Sequence, residues 1–112
     1  MGYRRKVAIA LSTQDFSELS KQYAANFPDD AAFIQDAVER REPVNDEVLL
    51  YWSSIKWYND TDPGIAFVSM FLETHTHDFV RLGDEDADIE VSIDLDSSYG
   101  LGYSREIRWE GK

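Results

Sequence analysis

The stretch EVLLYWSSIKWYN, residues 47–59, decides the class of fold. Its large apolar residues, Val48, Leu49, Leu50, Tyr51, Trp52, Ile55, Trp57 and Tyr58, follow no helical period. They occupy both alternating sets of positions and are rich in β-branched and aromatic types, which marks a strand covered on two faces. Such a strand predicts a central place in a sheet.

Upstream, YRRKVAIALS alternates Val7, Ile9 and Leu11 against small or basic residues and reads as another strand. Ser12 or Thr13 offers a helix N-cap, with Asp15 placed to favour the helix dipole. Phe16, Leu19, Tyr23 and Phe27 then recur at three- and four-residue steps, a single apolar stripe running to about Asn26 before Pro28 interrupts it. Asp29 or Asp30 can cap a second helix carrying Ile34, Ala37 and Val38, which ends through Glu39, Arg40, Arg41 and Glu42 near Pro43. Downstream, Asp62 followed by Pro63 is a helix start, since proline is favoured at the first helical position. The helix it opens, to about Thr74, holds Ile65, Phe67, Val68, Met70, Phe71 and Leu72 nearly all round and is expected to be sandwiched. HDFVRLGD, ADIEVSIDLD and LGYSREIRWE read as three further strands, joined by a turn at Gly83 to Asp86 and a looser one at Ser97 to Gly102. The expected architecture is α+β: one domain, with a mixed or antiparallel sheet and about three helices mainly on one side.

The segment ADIEVSIDLD has the most regular alternation. Ile89, Val91, Ile93 and Leu95 are expected to enter the core, leaving Glu90, Ser92, Asp94 and Asp96 on an acidic outer face. Same-face side chains on a strand stand ~6.5–7 Å apart. That resembles the spacing of successive phosphates along a nucleic-acid backbone. Together with Asp84, Glu85, Asp86 and Asp88 at one end, this face is a candidate contact for a basic protein surface. The plainer explanation is a polar outer face that keeps an antiparallel sheet solvated and blunts its edge.

Composition favours the functional reading. The formal net charge is −11, more than solubility asks of a chain of 112 residues. Between Asp60 and Asp96 lie eleven of the 22 acids but only one of the 11 lysines and arginines, Arg81. So polarised a charge repels phosphate backbones, which argues against direct nucleic-acid binding and for a basic partner or a cation. An apolar content of 43% excludes a disordered acidic tail. The absence of cysteine leaves no disulfide or thiolate site and makes a cytoplasmic location the expectation. No apolar run approaches the ~20 residues of a membrane span. Gly2 follows Met1 as in a myristoylation signal, but Lys6 stands where that signal needs Ser or Thr.

Two carboxylate or imidazole groupings invite a metal. Asp84, Asp86 and Asp88 have the one-three-five spacing of a calcium loop, yet Ile89 replaces the sixth-position glycine and Leu95 the twelfth-position glutamate. His75, His77 and Asp78, with Glu73 nearby, are chemically suited to Zn²⁺ or Fe²⁺, although a surface turn accounts for the same residues. Neither grouping completes a recognised metal motif. There is no nucleophile elbow, phosphate-cradling glycine loop or H-E-x-x-H pattern either, so a non-enzymatic protein without a cofactor is expected. The aromatics Tyr51, Trp52, Trp57, Tyr58, Tyr99, Tyr103 and Trp109 are read as core and cross-strand packing, with outward members available to an interface. Lys56 and Arg81 are expected to pair with local carboxylates.

The pairing of IKWYND with FVRLGDEDADIE, carried by Lys56, Trp57, Tyr58, Arg81, Gly83, Asp86, Asp88 and Glu90, resembles small acidic proteins of unknown function carried by phages and prophages. It covers residues 48–93. The resemblance implies a setting in the host cell cytoplasm and a role as a binding inhibitor of a host system. It brings no activity or catalytic residue. The function so expected is an acidic protein-binding module that occupies a basic, nucleic-acid-binding surface of another protein. The alternatives are a divalent-metal-binding protein or metal-dependent enzyme and a structural subunit that self-associates through a sheet edge.

Overall fold

A computed structural model describes residues 5–30, 32–36, 46–55, 57, 62–83, 89–97, 101–103 and 107–108. Strand β1 (Arg5–Ser12) leads into α1 (Thr13–Asn26), a 3-10 turn (Pro28–Asp30) and α2 (Ala32–Asp36). The chain continues through β2 (Glu47–Ile55), α3 (Pro63–Glu73), β3 (Asp78–Leu82) and β4 (Ile89–Ile93), then a short pair, β5 (Gly102–Tyr103) and β6 (Ile107–Arg108). The architecture is α+β, with a four-stranded antiparallel sheet in the order β2-β1-β3-β4.

The inner strands are β1 and β3, and β2, expected to be central, lies at one end of the order. Residues Val7 to Leu11 are all fully buried because the two sets of side chains serve two cores. Val7, Ile9 and Leu11 pack under the helices with Leu19, Tyr23, Ile34, Val68, Phe71 and Phe79. Ala8 and Ala10 face the opposite side with Leu49, Val80, Leu82 and Ile107, and Leu101 packs against that cluster. β6 lies against β1 and β3 there. The apolar character of both faces of β2 reflects these two layers, helices on one face and the β5–β6 pair on the other, and does not require a strand on each flank. Within LGYSREIRWE, Gly102–Tyr103 and Ile107–Arg108 pair antiparallel with each other where a single strand was expected.

Capping follows the sequence closely. The Ser12 side chain accepts from the Asp15 amide at 3.0 Å and opens α1. The α1 stripe buries Leu19 and Tyr23, and Phe16 and Phe27 pack against the same core. Asp62 accepts from the amides of Gly64 at 2.9 Å and Ile65 at 3.2 Å, while Pro63 forms the first helical residue of α3. Asp62→Ala is expected to destabilise the protein by about 1 kcal/mol and Asp62→Asn by much less, as read from urea midpoints. Equal losses in the two variants would show that the cap is not the source.

Two expectations about coverage are overturned. Helix α3 buries Gly64, Ile65, Val68, Phe71 and Leu72 but leaves Met70 68% exposed, so it is covered on one side and not sandwiched. Ile89, Val91 and Ile93 of β4 are 37%, 40% and 42% exposed and do not enter the core. They share the sheet face of Val80 and Leu82, but β4 ends the strand order and the cover over β1 and β3 does not bury them. Ala37, Val38, residues 39–43, Lys56, Tyr58, residues 84–88, Tyr99 and Trp109 lie outside the described residues.

Candidate functional site

The polar face of β4 looks toward the helices. Register pairs Glu90 with Arg81 and Ser92 with Phe79, and Phe79 belongs to the helix-side core. The described helices leave β4 open on this face, and a groove runs between it and α3. Its hollow of ≈ 240 Å³ has Trp57, Leu72 and Phe79 as an apolar floor and Ser69, Glu73, His77, Glu90 and Ser92 as a polar rim. A shallower hollow of ≈ 460 Å³ adjoins it past Glu73 and His77, reaching His75 and Asp94. The floor is rigid. Trp57 is buried within a run of rings, 5.4 Å from Trp52 and 6.0 Å from Phe79, and its carbonyl accepts from the Arg5 guanidinium.

Charge on the rim is partly organised. Arg81 and Glu90 form an ion pair at 3.2 Å, as the sequence suggested for Arg81, with Glu90 still half exposed. Glu73 and Asp94 are exposed. The Ser92 hydroxyl donates to Asp94 at 3.3 Å, so these two share a side. The regular row of acids stops there, because β4 ends at Ile93 and residues 94–97 bend away. Asp96 takes a left-handed backbone, φ 54°, and does not extend the ladder of side chains that an unbroken strand would have formed. Of the acids singled out in the sequence, Glu90 and Asp94 stand near the groove, Asp96 lies in the bend, and Asp84, Glu85, Asp86 and Asp88 lie outside the described residues.

The cause of the bend is Asp78, whose role the sequence did not reveal. Its carboxylate is 1% exposed and accepts three backbone N–H groups: Leu95 and Asp96 at 2.9 Å on Oδ1, and Ser97 at 2.8 Å on Oδ2. These partners lie 17 to 19 residues away in the chain, so no local motif announces them. Asp78 is therefore a turn organiser, and its oxygens are engaged by the backbone.

Both histidine rings are oriented by carbonyls. A carbonyl can only accept, so Nδ1 of His75 donates to Phe71 at 2.7 Å and Nδ1 of His77 donates to His75 at 2.8 Å. His75 also stacks on Phe71 with ring centres 3.8 Å apart. In the neutral tautomer each ring presents Nε2 as an acceptor. Among the described residues, no group of three or more histidine or acidic side chains is placed to hold one metal ion. The rim instead offers acceptors around an apolar floor, chemistry that suits a cationic side chain with an aliphatic stem. No described helix is long and apolar enough to cross a membrane. No family model, curated protein or solved structure matches this chain.

Proposed function

We propose that this protein is a non-enzymatic acidic binding module that captures a basic surface of another protein, of the kind that otherwise meets nucleic acid. The observation that carries this reading is the convergence of Glu73, Glu90 and Asp94 beside a groove with an apolar floor, in the half of the sequence where the negative charge is concentrated. An arginine or lysine of the partner would lay its stem over Leu72 and Phe79 and present its head to the carboxylates. The remaining acids of that half would attract the partner from a distance and speed encounter. In the setting implied by the phage-type resemblance, such a module acts by occlusion: the partner loses access to nucleic acid while bound.

The test is capture of a partner from a bacterial lysate, followed by competition between the purified partner's nucleic acid and this protein. Binding is expected to weaken strongly between ~0.1 and ~0.5 M salt, where the screening length falls from ~10 Å to about half that. A triple variant, Glu73→Lys, Glu90→Gln and Asp94→Lys, is expected to lose at least tenfold in affinity with an unchanged melting temperature. Glutamine at position 90 avoids setting a lysine against Arg81, and Asp96 is left alone because its left-handed backbone makes substitution a test of strain. Capture that survives the triple variant, or that does not compete with nucleic acid, would overturn the proposal.

A further inference from the structure

Strand β4 carries a second surface, independent of the groove and on the other face of the sheet. Ile89, Val91 and Ile93 form an exposed apolar row there. The hydrogen-bond pattern of the sheet makes this row more specific than an apolar patch. The Asp94 amide donates to the His77 carbonyl at 3.2 Å, which continues the register in which Ile93 faces Asp78. Antiparallel partners alternate between bonded and non-bonded pairs, so Glu90 and Ser92 also direct their backbone groups toward β3. The N–H and C=O groups of Ile89, Val91 and Ile93 therefore point outward, at the end of the strand order. The same three residues present both a backbone edge that no other described strand pairs with and the apolar side chains. Of the devices that guard edge strands, the five residues of β4 lack proline, lysine and a bulge, and the one charge they carry, Glu90, is engaged by Arg81.

The sequence of the strand, IEVSI, selects the occupant. Placed antiparallel to a second copy about a two-fold axis at Val91, Val91 faces Val91 of the second copy and Ile89 faces its Ile93. Glu90 then faces Ser92, so within the five residues of β4 no two carboxylates are directly opposed and each glutamate meets a hydroxyl donor. All outward backbone groups of the three residues are matched in that register, each facing pair exchanging both N–H···O bonds. The apolar rows of the two copies join into one on the same face. We infer that β4 is a homodimerisation edge, joining two copies through antiparallel β4–β4 pairing centred on Val91.

Each copy carries a net charge of −11, so the association is opposed by long-range repulsion and is strengthened by salt. That sign is opposite to the salt dependence expected of basic-partner capture. The two readings therefore succeed or fail separately.

The decisive experiment uses the absence of cysteine from the chain. In the inferred dimer the two Val91 Cα atoms stand ~5.5 Å apart, within disulfide range, whereas the two Ile89 Cα atoms are ~14 Å apart. Under mild oxidation Val91→Cys is expected to form a covalent dimer at least tenfold faster than Ile89→Cys, and a mixture of Ile89→Cys with Ile93→Cys is expected to form the heterodimer. Sedimentation of the unmodified protein from micromolar to millimolar concentration should show a monomer–dimer equilibrium that shifts toward dimer as salt rises. All three positions are exposed, so the substitutions leave the core intact, and circular dichroism checks this. Equal rates for the two single variants, a monomer throughout at high salt, or growth beyond a dimer through head-to-tail pairing of β4 with β2 would each overturn the inference.

Discussion

Asp78→Ala is expected to destabilise the protein by about 3–5 kcal/mol, the range seen when a buried charged partner is removed and the groups it satisfied are stranded. Three backbone N–H groups, of Leu95, Asp96 and Ser97, converge on the carboxylate. When it is cut back to a methyl, the Leu95 amide keeps the His77 carbonyl at 3.2 Å, whereas those of Asp96 and Ser97 lose the acceptor they have among the described residues. The loss is a large share of the ~5–15 kcal/mol that holds an ordinary domain together. Asp78→Asn separates charge from shape. The amide oxygen still accepts from Leu95 and Asp96, but its NH₂ is set against the Ser97 amide, donor against donor, and a loss of about 1.5–3 kcal/mol is expected. Urea unfolding followed by far-ultraviolet circular dichroism measures both. A loss below ~1 kcal/mol for the alanine variant would mean that the bend at 94–97 is held by something other than Asp78.

That one residue also explains why the acidic strand was only half legible in the sequence. Alternation in ADIEVSIDLD correctly assigns residues to two faces, since Glu90 and Ser92 lie on one side and Ile89, Val91 and Ile93 on the other. Alternation does not say which face receives cover. Cover is supplied by elements distant in sequence: β6 reaches β1 and β3, and the described helices leave β4 open. The same limit applies to EVLLYWSSIKWYN, where two apolar faces identified the strand but not its place at one end of the order. Local chemistry was read more completely. Ser12, Asp62 and Pro63 open the helices that their side-chain chemistry predicts, because a cap and its amides are only two or three residues apart. The groove depends on Trp57, Leu72, Phe79 and Glu90 meeting across three elements and the chain before them, and it has no signature in any single stretch.

The charge distribution gains a physical consequence from this geometry. Glu90 stands opposite Arg81 across the β3–β4 ladder, so its charge is locally compensated while its exposed side remains available. An exposed pair of this kind contributes ~0–1 kcal/mol to stability. Its more important effect is to fix the direction of the Glu90 carboxylate, which lowers the entropy cost of engaging a partner's guanidinium or ammonium. The exposed carboxylates of Glu73 and Asp94, for which no ion pair is formed among the described residues, supply the field on either side.

The packing of α3 on α1 yields the second large effect, at Gly64. A Cβ at this position would lie 2.6 Å from the Tyr23 hydroxyl oxygen, 3.3 Å from an Asp62 oxygen and 3.4 Å from the Tyr23 ring. Tyr23 cannot readily retreat, because its ring is packed against Phe27 at 4.9 Å, Phe33 at 5.7 Å and Phe67 at 6.1 Å, and its hydroxyl donates to Asp30 at 2.9 Å. Gly64→Ala is therefore expected to cost about 2 kcal/mol although alanine is the better helix former by ~1 kcal/mol, since overpacking outweighs propensity. Tyr23→Phe alone should cost about 1 kcal/mol through the lost hydrogen bond. Combining them removes the clashing oxygen, so the double variant should be more stable than the sum of the single losses by at least ~1 kcal/mol. Additive losses would place the origin of the Gly64 effect elsewhere. Alkaline titration gives an independent check. Burial, then the hydrogen bond to Asp30, then the charges of Asp30 and Asp62 all raise the Tyr23 pKa above the ordinary tyrosine value of 10.0. The folded state thus keeps a proton that the unfolded state releases. The resulting stability is fully present below pH ~10 and is lost as pH rises beyond it, by up to ~1.4 kcal/mol per pH unit. The difference in stability between the parent protein and Tyr23→Phe should shrink or reverse on that alkaline limb, and a difference that stays constant across it would contradict the buried, neutral hydroxyl on which the packing at Gly64 depends.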